Sequence, residues 1–226
     1  MCRFLVVKSS RSTNLQPILS SFIVMAKKSH AFDGDWQGDG WGYSWLDKNN
    51  NWKIYKSLLP IWQDTHLTSL PTEIVNQIYM SKILIVHARS ASFPQHKNVI
   101  EYNQPYITEP YSYVFNGLLK GVSLSLPGSI GAQKIWNLLQ EQIKKHRLEN
   151  ALERTKIILQ KNCKELQAIN IAFSDKKNIY TLCYYSKHEE YYQLHHYKES
   201  KFQFISSEPL LGYSSTPIFS NQIIKL

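Results

Sequence analysis

The stretch Lys82-Ile83-Leu84-Ile85-Val86-His87 constrains the fold more than any other. Its apolar residues are continuous rather than alternating. It reads as a strand buried on both faces, so the sheet that holds it is covered on both sides. A second apolar run, Phe4-Leu5-Val6-Val7, follows Met1-Cys2-Arg3 and predicts another strand. Trp41–Leu46 alternates, Lys48–Asn51 is a polar turn and Trp52–Lys56 is the return strand, which makes an antiparallel hairpin.

Helical spacing appears in Leu15–Lys27, with Pro17 at an early position, and again in Leu67–Met80. Gly128–Leu139 and the stretch up to Cys163 predict two more helices with a break near Arg147–Asn150. Tyr111–Phe115 predicts a strand ending on Asn116-Gly117. Leu166–Phe173, Asn178–Tyr185, Tyr191–His195 and Phe202–Ser206 predict an antiparallel meander, and Pro217–Leu226 adds a short strand or two. Strands and helices come in blocks joined by hairpins. The expected class is therefore α+β, two packed sheets with helices outside, as one domain over residues 1–226 without internal repeat or linker.

Composition excludes several functions. At 43% hydrophobic and 19% charged residues the chain is globular rather than disordered. The net charge of +9 lies in scattered lysines and pairs such as Lys27-Lys28 and Lys144-Lys145, not in a stripe. With no zinc-finger or RNP motif, this is a solvated basic surface and not a nucleic-acid groove. Three cysteines, Cys2, Cys163 and Cys183, make neither a disulfide framework nor a zinc site and fit a reducing cytoplasm. No signal peptide or membrane-spanning run is expected. His195-His196, with His188 nearby, lacks metal-ligand spacing.

Four separated features carry candidate chemistry. Removal of Met1 would place a thiol and a free α-amine on Cys2, a nucleophile with a base in reach. Arg89, in His87-Ala88-Arg89-Ser90-Ala91-Ser92, can hold a carboxylate with a bidentate fork, or form a surface ion pair. Asn116-Gly117 can offer an amide and a backbone N–H to an oxyanion, although Asn-Gly is also the strongest short-range hairpin signal. The fourth is Ser206-Ser207-Glu208-Pro209-Leu210. Asp39-Gly40-Trp41-Gly42 is either a close-packed loop beneath such a site or a glycine-rich turn.

In this order the motifs resemble stand-alone class II glutamine amidotransferases, which are N-terminal-nucleophile hydrolases. The small single-domain branch that includes YafJ-like proteins and ergothioneine-pathway amidohydrolases is the most similar. The resemblance spans Cys2 to Leu210. It implies a four-layer αββα sandwich of two antiparallel sheets between helical layers. It further implies that Cys2 attacks a side-chain amide, that Asn116 and Gly117 hold the oxyanion, and that Arg89 binds a substrate carboxylate with Ser90 and Ser92 beside it. Neither metal nor cofactor is implied. The partners would be a small-molecule amide, with a separate acceptor or synthase protein, or a second copy of the chain, beyond it.

The chain departs from that pattern where the family places an Asp that binds the substrate ammonium. Gly131 falls there, and no acidic residue occurs from Gly121 to Gln140. Phe115 precedes Asn-Gly where a His is usual, and Gln104 stands before Pro105 where the family often has His. Losing the carboxylate removes a charge-assisted bond of about 1.5–3 kcal/mol. Two expectations follow: a Cys hydrolase whose substrate has no free α-ammonium or presents it to another group, or an altered subunit that binds or regulates a partner.

Overall fold

The computed structural model describes residues 2–9, 13–31, 34, 36–91 and 93–226. In chain order the elements are β1 (Arg3–Ser9), α1 (Gln16–Lys28), β2 (Trp41–Leu46), β3 (Trp52–Ser57), α2 (His66–Ser69), α3 (Thr72–Tyr79) and β4 (Ile83–Ala88). After two 3-10 turns come β5 (Tyr106–Thr108), β6 (Tyr111–Val122), α4 (Gly131–Ile143), α5 (Leu148–Lys161), β7 (Cys163–Ser174) and β8 (Ile179–Cys183). The chain continues with α6 (Glu189–Tyr192), β9 (Leu194–Lys198), β10 (Phe202–Ser206), β11 (Thr216–Ile218) and β12 (Gln222–Lys225).

Among the described residues the strands form two antiparallel sheets. One has seven strands in the order β11-β9-β10-β1-β4-β2-β3, and the other has five in the order β12-β8-β7-β6-β5. Side-chain alternation explains why they stack. On β1, Leu5 and Val7 face α1 and meet Leu19 and Phe22. Phe4 and Val6 face the other sheet, where Val114 and Ala172 wait. On β4, Leu84 and Val86 join the first group, and Ile83 and Ile85 the second. A third cluster packs Phe115, Ile169 and Ile171 against Trp136, Leu139 and Leu152 of α4 and α5. Each fully buried apolar side chain contributes about 1.5–3 kcal/mol. The layers therefore run helix, sheet, sheet, helix, as expected, and β1 and β4 are central because they are apolar on both faces.

The details correct four readings of the sequence. Leu67–Met80 is two helices, because Pro71 lacks an N–H and ends the first. Asn116-Gly117 is not the end of its strand: β6 runs on to Val122, with Asn116 opposite Asn170 and Gly117 opposite Ile169. Tyr191-Tyr192 lies in α6, and the strand expected there begins at Leu194. The supposed meander is split, since β7 and β8 pair in one sheet and β9 and β10 in the other. In that crossing the aromatic pair of α6 packs with Ala31 and Ala168.

Candidate active site

The register of β1 and β4 assembles the site. Arg3 pairs with Ala88, so in an antiparallel ladder Cys2 falls beside Arg89 and Ser90. The Cys2 thiol points to the Ser90 carbonyl oxygen at 3.5 Å. Cys2, Arg89, Ser90, Asn116, Gly117 and Gly131 all line one cavity of about 550 Å³. Two of the sequence candidates, Met1 as the residue to be removed and Ser92, lie outside the described residues.

Arg89 is 4% exposed. Its guanidinium donates to the Asn103 Oδ1 at 3.0 Å and to the carbonyl oxygens of Asp39, His96 and Lys97. None of these acceptors is a carboxylate, and Arg89 has no ion pair among the described residues. It is a buried cation with a dipolar cradle and no counter-ion among the described residues, which is why a surface ion pair is the wrong reading of it. Asp39-Gly40 splints the same loop: Asp39 N–H donates to the Arg89 carbonyl, Arg89 N–H to the Gly40 carbonyl, and Ala91 N–H to Asp39 Oδ2. Gly40 has φ +111°, and a Cβ there would lie 2.4 Å from Asn103 Nδ2. Only glycine fits, so the glycine-rich stretch is a close-packed support rather than a free turn.

Asn116 is 1% exposed, and neither its Oδ1 nor its Nδ2 has a partner among the described residues. Leaving buried amide atoms unbonded costs about 1–3 kcal/mol, and Asn116 is on the wall of the cavity that Cys2 lines. Gly117 is needed beside it, because a Cβ would stand 2.3 Å from the Ala168 carbonyl oxygen.

Two contacts that the sequence did not reveal hold this frame. Gln104 bridges the sheets: its Nε2 meets His87 Nε2 at 3.2 Å and the Phe115 carbonyl at 3.2 Å, and its Oε1 accepts from Phe115 N–H at 2.6 Å. Burial first, and then the Arg89 charge, push the His87 pKa down to about 3, so the ring is neutral. The second contact reassigns Ser207-Glu208. Glu208 does not line the cavity. It pairs with Arg3 at 2.8 Å, while Arg3 also donates to the Tyr191 and Ser207 carbonyls and lies 3.7 Å from the Tyr191 ring centre. Ser207 Oγ accepts from Phe4 N–H. The C-terminal motif thus anchors the residue next to Cys2. His195 and His196 are elsewhere, on Ser215 and Gln203.

Two sheets face to face between helical layers, with the N-terminal strand central and a cysteine at its head, define the fold of N-terminal-nucleophile hydrolases. More narrowly, the fold is that of class II glutamine amidotransferase domains. The chain is similar to a glutamine aminotransferase class-II domain protein from Silicibacter pomeroyi, with TM-score 0.68 and 16% identity over 99% of this chain and 94% of that one. It is also similar to the glutamine phosphoribosylpyrophosphate amidotransferase of B. subtilis complexed with ADP and GMP, with TM-score 0.67 and 12% identity over 99% of this chain and 47% of that one. This chain thus spans about half of that enzyme. A third likeness is to a predicted glutamine amidotransferase from Pseudomonas aeruginosa, with TM-score 0.52 and 12% identity over 99% and 96% of the two chains. No family model and no curated protein sequence matches the chain.

Proposed function

We propose that this chain is an amide-cleaving cysteine hydrolase of the glutamine amidotransferase type. Cys2, made N-terminal by loss of Met1, is the nucleophile. Its thiol attacks the carbonyl carbon of a side-chain amide and gives its proton to its own α-amine, which passes it to the leaving ammonia or amine. The Asn116 amide and Gly117 N–H receive the oxyanion of the tetrahedral intermediate. Water then resolves the thioester to the acid. Arg89 holds a substrate carboxylate, with Ser90 on the same cavity wall.

One observation carries this reading. The Asn116 amide is buried, opens on the cavity it shares with Cys2, and has no partner for either polar atom among the described residues. Asn170, its cross-strand neighbour, is bonded through both amide atoms instead. Charge gives Arg89 its part: a buried guanidinium with no counter-ion among the described residues gains most from an anion that arrives with the substrate.

Intact mass of the purified protein should show a chain beginning at Cys2. Ammonia release from amides that carry a carboxylate should fall to background in Cys2→Ala. A chain that retains Met1 and releases no ammonia would instead favour a binding or regulatory subunit.

A further inference from the structure

Resting on the amide-cleaving reading, we infer that the substrate keeps its carboxylate but carries an apolar acyl group on the α-nitrogen, where free glutamine has an ammonium. The first observation is charge. Among the described residues no Asp or Glu lines the cavity, whereas Arg89 and Lys134 do, together with Lys120, which is paired with Glu165 at 3.3 Å. Lys134 stands in the first turn of α4, which holds no acidic residue, and it forms no ion pair among the described residues. The positive end of a helix and an unpaired lysine repel an ammonium there.

Shape is the second observation. Beside Asn116 the cavity is lined by β6, the segment leading to α4, α4 itself and α5, through Leu119, Val122, Leu124, Leu126, Ile135 and Leu159. Free glutamine has nothing apolar to lay on such a wall. A Cβ added at Gly131 meets nothing within 4 Å, so the α4 end is open space. Acylating the α-nitrogen removes the charge that this end opposes and supplies a hydrocarbon chain that the wall desolvates. The carboxylate still answers Arg89. In the reaction the Sγ–C bond forms as the C–N bond of the side-chain amide breaks, and ammonia leaves with the thiol proton. Water then cleaves the thioester, giving the Nα-acylglutamate and the free thiol.

The test compares kcat/KM for glutamine, Nα-acetyl-, Nα-butanoyl- and Nα-octanoylglutamine, and a γ-glutamyl alkylamide with a free α-amine. Ammonia or amine release is read in the native chain and in Cys2→Ala. Acylation should raise kcat/KM above glutamine by about ten- to a hundredfold. Each added methylene should raise it about fourfold until the wall is covered. Leu126→Gln should flatten that slope, and Gly131→Asp should shift preference back towards glutamine. If glutamine or the γ-glutamyl alkylamide outruns every Nα-acyl compound in a Cys2-dependent reaction, this inference falls and the amide-cleaving function stands. If no amide is cleaved, the function falls, and calorimetry with Nα-acylglutamates decides the site. Affinity growing with chain length would support the inference, and no binding would overturn it.

Discussion

Arg3 and Arg89 are both buried arginines near the ends of neighbouring central strands, and they are treated in opposite ways. Arg3 has Glu208 at 2.8 Å and two carbonyl oxygens as well. Arg89 has carbonyl and amide oxygens only. The same contrast recurs one layer away. Asn116 and Asn170 are direct cross-strand partners. Asn170 donates to the Tyr192 carbonyl at 2.6 Å and accepts from Tyr184 N–H at 3.1 Å, while Asn116 has no partner among the described residues. Residues of one type, equally buried, are saturated where they hold the frame and left wanting where they face the cavity. Stability and function are separable here, residue by residue.

Substitutions can break that separation. The largest effect is expected from Asn116→Ala, which should lower kcat by about 10²–10³. Because it removes two unbonded polar atoms, its denaturation midpoint should not drop, as urea titration would show. Glu208→Gln should do the reverse. Leaving Arg3 buried without its anion should cost about 3 kcal/mol, at the low end for a buried pair because Glu208 is 32% exposed. Chemical denaturation measures it, and loss of activity without loss of stability would contradict the frame role. Asn170→Ala should cost about 1–3 kcal/mol by orphaning its partners, with kcat changed less than in Asn116→Ala. The most gradual effect is in pH. His87 is neutral when folded, with its pKa at about 3, so between about pH 6.5 and pH 3 only the unfolded chain takes up that proton. Stability therefore rises with pH across that window, by up to about 1.4 kcal/mol per unit from this group. His87→Gln should flatten that part of the pH profile of unfolding. An unchanged slope would show that His87 takes up its proton in the folded state as well.

Much of the layer architecture was legible because it depends on local pattern. The continuous run Ile83–Val86 and the run Phe4–Val7 had to be central, and both are. Burial on one side by α1 and on the other by the second sheet follows from alternation alone. What misled was ambiguity in short signals. Asn-Gly is a turn signal, yet β6 passes through Asn116-Gly117, because the Ala168 carbonyl comes so near that only glycine can stand there. Tyr191-Tyr192 has strand propensity, but the chain crosses between sheets at that point and coils instead. Ser207-Glu208 looked like part of the site. Its role on Arg3 spans more than two hundred residues of chain, a distance no motif encodes.

The sequence by itself determined which strands lie at the centre, the cysteine at the head of one of them, and the lack of an acid from Gly121 to Gln140. Apolar periodicity and residue identity are local, so they can be read directly. Tertiary structure alone decided that, among the described residues, Arg89 has no counter-ion and Asn116 no partner, and that the cavity beyond them is lined by apolar side chains and lysines. Whether a polar group is satisfied depends on what folding brings against it from distant segments, and that is fixed by packing rather than by the residue.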